Sequence, residues 1–295
     1  MTTIDDPTTP ITIPHGDEAR IARRERIRLL LRSPAFILGC VLLGIWVICA
    51  IFGELIAPQN PRTEDLLNDL APPSSEHLFG TDRLGRDVLS RVIVGAREIL
   101  IMAPLATLLG TILGTAIGLL TGYYRGLVDE ASMRFVDALL SIPLIITALL
   151  AVVALGSSRL TLILVIGLVF APIIGRTVRA AVLGERALDY VQAARLRNER
   201  SPYIMFAEIL PNVSAPIIVE FTVRLGYAIF TIATLAFLGF GADPSIPDWG
   251  ADIADNYQFI NGGVWWAVLF PALAIATLII GINLMADKIA QTYER

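Results

Sequence analysis

Lysine, histidine and cysteine are scarce in this sequence of 295 residues, and each shortage excludes a kind of chemistry. Lys288 is the only lysine, whereas a Walker A phosphate-binding loop needs a lysine directly after its last glycine. The chain is therefore predicted not to bind ATP through a P-loop of its own. His15 and His77 are the only imidazoles, so a histidine-based metal or catalytic cluster is not expected. Cys40 and Cys49 share one apolar segment and cannot face each other along a helix, which predicts two buried thiols without a disulfide.

Charged residues are also scarce. They make up 17% of the sequence, while 55% of the residues are hydrophobic and the mean hydropathy is +0.67. A soluble domain carries roughly 25% charged residues, so the composition predicts a polytopic membrane protein. No short apolar segment with a small-residue cleavage site is present near the N-terminus, and residues 1–27 are interpreted as a disordered, basic cytoplasmic tail.

Six apolar segments predict membrane-spanning helices. The fourth is the least regular, because it is short and contains Pro172, and it counts as a span if Pro172 and Arg176 lie at its cytoplasmic end. The predicted spans are residues 35–57, 99–123, 136–155, 160–174, 217–238 and 264–286. The expected fold class is an all-α polytopic membrane protein with six transmembrane helices.

The distribution of arginine predicts the orientation of these spans, since cytoplasmic loops are rich in basic residues. Six arginines between residues 20 and 32 place the N-terminus in the cytoplasm, and six spans return the C-terminus to the same side. Residues 176–200 carry six further arginines, whereas residues 239–263 carry four aspartates and no basic residue. Residues 58–98 are assigned to the outside despite five arginines, because seven acidic residues offset them.

Four glycines recur at every fourth position of the second predicted span: Gly110, Gly114, Gly118 and Gly122. Such spacing leaves one helix face without side chains, so that another helix can approach it closely. We interpret the glycines as a helix-packing surface rather than as the lining of a transport pathway.

Glu220 and Arg224 lie one helical turn apart near the start of the fifth predicted span. A charge at the centre of a bilayer costs about 2.5–3.5 kcal/mol on insertion scales. The two residues are therefore expected either to pair with each other near the cytoplasmic interface or to face an aqueous pathway and meet a zwitterionic substrate. The ion pair is the simpler interpretation.

A polar island, residues 189–212, separates the fourth and fifth predicted spans and is predicted to form two short helices joined by a turn. Asp189 is a candidate N-cap, with Gln192 reaching back to the cap amide. Asn198 is expected to adopt the left-handed conformation that ends the first helix. Ser201 is expected to cap the second helix, with Pro202 at its first position.

Five motifs together resemble the second permease subunit of dipeptide, oligopeptide and nickel ATP-binding-cassette (ABC) importers. They follow one another at the spacing of that family and cover residues 29–290. The motifs are LFGTDRLGRDVLSRVIVGAR (78–97), GYYRGLVDEASMRFVDALLSIP (122–143), the polar island, LAFLGFGADPSIPDWGADI (235–253) and FPALAI (270–275). Five motifs in order make a specific match, whereas the polar island alone would be a weak one.

The resemblance implies the type I importer permease fold in the inner membrane of a prokaryote, with both termini cytoplasmic. The implied organisation is a tail (1–27), a first transmembrane helix with a long outer loop (28–96), a five-helix transmembrane domain (97–288) with a cytoplasmic coupling loop at about 176–212, and a cytoplasmic C-terminus (289–295). The implied function is the non-catalytic half of a pathway for di- or oligopeptides.

The same resemblance implies a set of partners. These are a second, related permease in a heterodimer, two cytoplasmic ATPases that bind ATP and Mg, an extracytoplasmic binding protein and the lipid bilayer. No cofactor or metal in this chain and no nucleic-acid partner are expected. Nickel chelates, glutathione or oligosaccharides are alternative substrates, and an ion-driven secondary transporter is an alternative of another class. The latter predicts internal repeats and buried ionisable residues in several spans, which the sequence does not show.

The resemblance also implies roles for two groups of residues. The polar island would dock into a groove of one ATPase through an apolar rim of Tyr190, Val191, Ala193, Ala194, Leu196, Tyr203, Ile204 and Phe206. Its implied coupling residues are Asp189, Tyr190, Gln192, Ala193, Ala194, Arg195, Asn198, Ser201, Pro202, Leu210 and Pro211. Gln192 and Asn198 stand where the family usually has Glu and Gly.

On the outer side, the implied contacts with the binding protein are Asp82, Arg86, Asp243, Asp248 and Trp249, and for residues 80–87 the partner permease is an alternative contact. An alternative for residues 80–87 is local structure at the outer surface. In that interpretation Thr81 and Asp82 cap a helix, and Arg83, Arg86 and Asp87 form an ion network.

Overall fold

A computed structural model of the chain describes residues 30–241, 243 and 245–293, with all their side chains except those of Val128 and Tyr293. The predicted tail, the first five of the six N-terminal arginines and the last two residues lie outside the described residues. In chain order, the helices are α1 (Pro34–Ile56), α2 (Val88–Tyr124), α3 (Leu127–Leu140), α4 (Leu144–Leu155), α5 (Arg159–Glu185), α6 (Asp189–Leu196), α7 (Ser214–Leu235), α8 (Trp249–Asn256) and α9 (Trp266–Tyr293). The described part of the chain forms an all-helical bundle.

Five of these helices are long and apolar enough to cross a membrane, namely α1, α2, α5, α7 and α9. A sixth span is obtained when α3 and α4 are counted together, because the pair passes the same test of length and composition. The predicted fold class, an all-α membrane protein with six spans, is confirmed on this count.

The third span, predicted at residues 136–155, is divided into two helices. Its two halves, α3 and α4, are bent by 86° at the break between Leu140 and Leu144. Pro143 lies in this break and precedes α4, and a proline lacks the N–H that would carry the preceding helix onward. The third span is therefore two helices joined at a sharp bend.

The second and fourth spans are longer than predicted. Helix α2 begins at Val88 rather than at residue 99, because Asp87 caps it and accepts a hydrogen bond from the backbone N–H of Ser90. The predicted cap at Thr81 and Asp82 is therefore wrong. Helix α5 continues to Glu185 rather than ending at residue 174, and it contains Pro172 in its interior.

The four glycines of α2 lie against α5. A Cβ atom added at Gly114 would lie 2.7 Å from the Cβ of Ile174, and one added at Gly118 would lie 2.6 Å from the Cβ of Val178. Backbone atoms of α5 lie almost as near, with the carbonyl oxygen of Gly175 2.8 Å from the added atom at Gly118. The glycine face thus brings the two helices together backbone to backbone.

Helix α1 is covered on one side only. Gly39 and Gly53 are its buried residues, and most of its leucine, isoleucine and valine side chains are exposed. Cys40 is exposed and Cys49 is partly buried, so the predicted burial of both thiols is wrong for Cys40. The uncovered apolar face is what a helix at the edge of a bundle presents to lipid.

Candidate functional site

The polar island begins with α6 and turns at Asn198. The backbone of Asn198 has a φ of 55°, and its N–H donates to the carbonyl of Arg195 at 2.9 Å. This is the left-handed conformation predicted for Asn198. A helical turn at Ser201–Tyr203 follows, then a π-helical turn at Ile204–Ile209 and a last turn at Leu210–Asn212. The island is therefore helical on both sides of one tight turn.

The predicted caps of the island are wrong. Asp189 lies inside the first turn of α6, whose N-cap is Leu188 without a capping side chain. The Nε2 atom of Gln192 donates instead to the carbonyl of Arg186 at 3.4 Å. Ser201 is the first helical residue and Pro202 the second. The island is thus held in place by contacts other than caps.

One face of the island is buried in the protein. Val191 and Ala194 on α6 are fully buried, as is Ile209, and Ile204 is nearly so. The prediction that Val191, Ala194 and Ile204 form an exposed rim is therefore wrong. These small and branched side chains anchor the island to the bundle.

The other face of the island is exposed. Leu196 is 85% exposed, Phe206 is 60% exposed and Tyr203 is 54% exposed, as the predicted rim requires. Gln192 and Ala193 share the outer face of α6, and Pro202 and Pro211 are exposed as well. Such a group of apolar side chains on an exposed surface is typical of a contact with another protein.

Tyr190 ties the island to its neighbours at both ends. Its hydroxyl donates to Oε2 of Glu185 at 2.7 Å and accepts from Nδ2 of Asn212 at 3.2 Å. Burial, reinforced by the hydrogen bond to Glu185, raises the pKa of Tyr190 to about 12. The hydroxyl therefore stays protonated and joins the end of α5 to the end of the island.

Two ion pairs, which the sequence analysis missed, fix α3 to α5. Arg176 bonds Asp137, and Arg179 bonds Asp129, with Nη2 of Arg179 donating to Oδ2 at 2.6 Å. Arg176 and Arg179 are three residues apart and so share a helix face. Their spacing is a signal that could have predicted partners on one neighbouring helix.

Glu220 and Arg224 form an ion pair on α7. The Nε atom of Arg224 donates to Oε1 of Glu220 at 2.6 Å, and both side chains are largely buried. The guanidinium also lies 5.2 Å from the centre of the Tyr227 ring. This geometry is the pair that the sequence analysis favoured over an open pathway site.

The motif of residues 78–97 forms a buried ion network with α8. Asp82 accepts from Nε of Arg86 at 2.7 Å, and Nε of Arg91 donates to Oδ1 of Asp252 at 2.9 Å. All four side chains are less than a tenth exposed. The network joins segments that are 161 residues apart, and no local pattern predicts it.

Trp249 is also buried, and its indole N–H donates to the carbonyl of Val92 at 2.9 Å. The predicted contact with a binding protein is therefore wrong for Asp82, Arg86 and Trp249, which hold the outer segments together instead. Asp243 is exposed. Asp248 accepts from the N–H groups of Gly250 and Ala251 at the start of α8, and burial raises its pKa to about 6.

Comparison with known proteins bears on the whole chain. A family described as "Binding-protein-dependent transport system inner membrane component" matches residues 114–295. A second, described as "N-terminal TM domain of oligopeptide transport permease C", matches residues 23–73. Among solved structures, the methionine ABC transporter MetNI in inward-facing conformations aligns with a TM-score of 0.56 at 21% identity, covering 70% of this chain and 97% of that chain. This structural likeness shows the fold.

Characterised relatives cover nearly the same length. The dipeptide transport system permease protein DppC of Escherichia coli is 41% identical over 87% of this chain and 87% of its own length. The corresponding protein of Alkalihalophilus pseudofirmus is 37% identical over 90% of this chain and 86% of its own. The di/tripeptide transport system permease protein DppC of Pseudomonas aeruginosa is 37% identical over 84% of both chains. With a family match over most of its length and a matching fold, this chain belongs to the binding-protein-dependent transport system inner membrane components, the multi-pass permeases of ABC importers.

Proposed function

We propose that this chain forms half of the membrane pathway of an ATP-driven importer of di- or oligopeptides. The observation that carries the substrate class is the similarity, over 84–90% of the chain, to permeases named for dipeptide and di/tripeptide transport. A second, related permease completes the pathway as a heterodimer. Two cytoplasmic ATPases bind ATP and Mg, and an extracytoplasmic binding protein delivers the peptide.

The polar island docks this chain onto one ATPase. Its two faces support this role, because Val191 and Ala194 hold α6 to the bundle while Leu196 is left exposed on the opposite side. The hydrogen bonds of Tyr190 to Glu185 and Asn212 make the island stiff at both ends. A stiff element with an exposed apolar face can pass a displacement of the ATPase to α5 and α7.

Two further roles follow within the same proposal. The Glu220–Arg224 pair acts as a structural ion pair rather than as a substrate ligand, because each charge already has its partner. On the outer side, Asp243 and Asp248 remain candidates for contact with the binding protein.

The substrate and partners are tested together by purifying the tagged chain from cells that also express the neighbouring transport genes. Recovery with a second permease and ATPase subunits, followed by ATP-dependent dipeptide uptake into proteoliposomes, is the expected result. Uptake of a nickel chelate, glutathione or an oligosaccharide in place of peptide would show that the proposed substrate class is wrong. A lone homodimer that transports with an ion gradient would overturn the proposal.

The docking role is tested with Leu196→Glu. Leu196 is 85% exposed, so the substitution removes apolar contact area without a cavity in the fold. We expect loss of ATPase subunits from the purified complex and loss of substrate-stimulated ATP hydrolysis. The matched control is Leu67→Glu in the outer segment, where the leucine is 94% exposed and the ATPase should remain bound. Equal ATPase retention in both variants would refute docking through Leu196.

A further inference from the structure

Tyr123 is the centre of a cluster of arginines at the cytoplasmic end of α2. Its ring is buried, and the guanidinium carbons of Arg195 and Arg186 lie 5.1 and 5.9 Å from the ring centre. The Tyr123 hydroxyl lies 3.5 Å from Oγ of Ser201. The ends of α2 and α5 therefore meet α6 and the second half of the polar island at this ring.

The positive charge of the cluster is not balanced within the described residues. Arg125, Arg186 and Arg195 form no salt bridge there, and the buried Nη1 atom of Arg186 has no hydrogen-bond partner. Burial, then Arg195 and Arg125, lower the pKa of Arg186. A buried donor without an acceptor is costly, and an anion bound here would satisfy the donor and reduce the repulsion between the arginines.

Two carboxylates near the cluster already accept hydrogen bonds from other residues. Both oxygens of Asp129 bind Arg179, and Oε2 of Glu185 accepts the hydroxyl of Tyr190. Neither of these carboxylates forms a salt bridge with Arg125, Arg186 or Arg195, so a second molecule can supply the anion.

The cluster faces the helix bundle rather than the proposed ATPase surface. Arg195 lies on the same face of α6 as the buried residues Val191 and Ala194, whereas Leu196 points to the opposite, exposed side. Tyr123 is at the end of a transmembrane helix, where tyrosine typically marks the level of the lipid headgroups. The guanidinium groups of the cluster are thus at the height of the headgroups of the cytoplasmic leaflet.

An apolar groove begins one helical turn above Tyr123. It has a volume of about 530 Å³ and runs between α2, from Leu119 upward, and the residues around Phe206 and Ile218 on the far side. Both Phe206 and Ile218 are exposed. A groove of this kind next to a cationic cluster matches a lipid, which joins an apolar chain to a charged headgroup.

We propose that Arg125, Arg186 and Arg195 bind the phosphate of an anionic phospholipid of the cytoplasmic leaflet, with an acyl chain along the groove. Guanidinium groups bind phosphate with paired hydrogen bonds, and basic pockets between membrane helices on the cytoplasmic side suit anionic headgroups. The bound lipid would bridge α2 and α6 and so hold the polar island against the bundle. The site thus makes coupling depend on lipid composition.

The test uses the purified complete transporter in nanodiscs of phosphatidylcholine, with a fluorescent phosphatidylglycerol as the probe. We expect binding to fall roughly fivefold for each arginine changed to glutamine. Arg186→Lys with Arg195→Lys should retain much of the binding, because lysine still offers a point charge to phosphate. The matched control is Arg200→Gln, an exposed arginine of the same island, which should leave probe binding unchanged.

Should Arg186→Gln impair folding, Arg125→Gln provides the measurement, because Arg125 is exposed. Equal probe binding in the wild type and in the Arg125, Arg186 and Arg195 variants would overturn the proposal. An equally large loss of probe binding for Arg200→Gln would also overturn the proposal, because binding would then reflect general charge attraction rather than a site. Full displacement of the probe by inorganic phosphate would assign the site to a soluble anion instead. If the Arg125, Arg186 and Arg195 variants release the ATPase but still bind the probe, the arginines pair with a carboxylate of the ATPase rather than with a lipid, and the proposal is overturned. None of these outcomes depends on peptide transport.

Discussion

The buried pair of Arg91 and Asp252 allows a quantitative prediction for Asp252→Asn. Both side chains are about 5% exposed, and Nε of Arg91 donates to Oδ1 of Asp252 at 2.9 Å. Asparagine retains the shape and one acceptor oxygen but removes the charge. Arg91 then stays buried with the carbonyl of Pro61 at 3.1 Å and the carboxylate of Asp82 at 3.8 Å as its remaining partners.

Removing one member of a buried ion pair typically destabilises a protein by about 3–5 kcal/mol. Because Asp82 still compensates part of the charge of Arg91, we expect the lower end, about 3 kcal/mol. For a domain of this size that corresponds to a fall in Tm of about 6–12 °C. The double variant Arg91→Met with Asp252→Leu should recover most of the loss, since neither charge is then buried alone.

The assay is the fraction of monodisperse protein that remains after heating in detergent. The matched control is Glu130→Gln, which removes a carboxylate from the exposed pair with Arg134, where the atoms are 2.8 Å apart and the side chains are 78% and 61% exposed. Exposed pairs contribute less than about 1 kcal/mol. Equal shifts in Tm for Asp252→Asn and Glu130→Gln would refute the assignment of the outer network as a buried stabilising element.

Three other expectations follow from backbone geometry, packing and titration. Asn198→Gly should leave coupled ATP hydrolysis unchanged because glycine accepts a φ of 55°, whereas Asn198→Val should lower stability by about 1–2 kcal/mol; a collapse of activity in the glycine variant would show a contact of the Asn198 side chain. Gly118→Ala should lower the free energy of unfolding by about 1–3 kcal/mol, because the added methyl group forces α2 away from α5. The control Gly44→Ala places its methyl group with nothing within 4 Å and should leave Tm unchanged. Since the pKa of Asp248 is raised to about 6, the folded state holds a proton that the unfolded state releases near pH 4. Stability from this group is therefore present below pH 4 and lost as pH rises to 6; Asp248→Asn should remove that dependence of Tm, and an unchanged profile would refute it.

Long-range architecture was largely predictable from the sequence. The six spans follow from the length of the apolar segments. The packing face of α2 follows from the glycines at every fourth position between Gly110 and Gly122. The turn at Asn198 was predictable too, because few residues tolerate a positive φ. Pro143 marks the break between α3 and α4 in the sequence, but a proline does not fix the angle of a bend, so the turn of 86° was not predictable.

The side-chain contacts of the site were harder to predict from the sequence. A residue pattern shows which side chains are apolar but not which face of a short helix meets the bundle, so Val191 and Ala194 were assigned to the wrong face. Capping signals at Asp189 and Ser201 were overridden by tertiary contacts, such as those of Tyr190 and Tyr123. The pair of Arg91 and Asp252 joins residues 161 positions apart, and only the folded chain brings them together.

The bend between α3 and α4 has a consequence for the membrane around the protein. The twelve residues of α4 rise roughly 18 Å, while the hydrocarbon layer is about 30 Å thick. With α4 along the membrane normal, the bend of 86° lays α3 almost parallel to the membrane plane, where it adds little depth to the span. Backbone groups at a break of this kind cannot face lipid tails without hydrogen-bond partners. The cytoplasmic third of the membrane beside α4 must therefore be filled by protein or water, which forms a notch in the hydrocarbon wall.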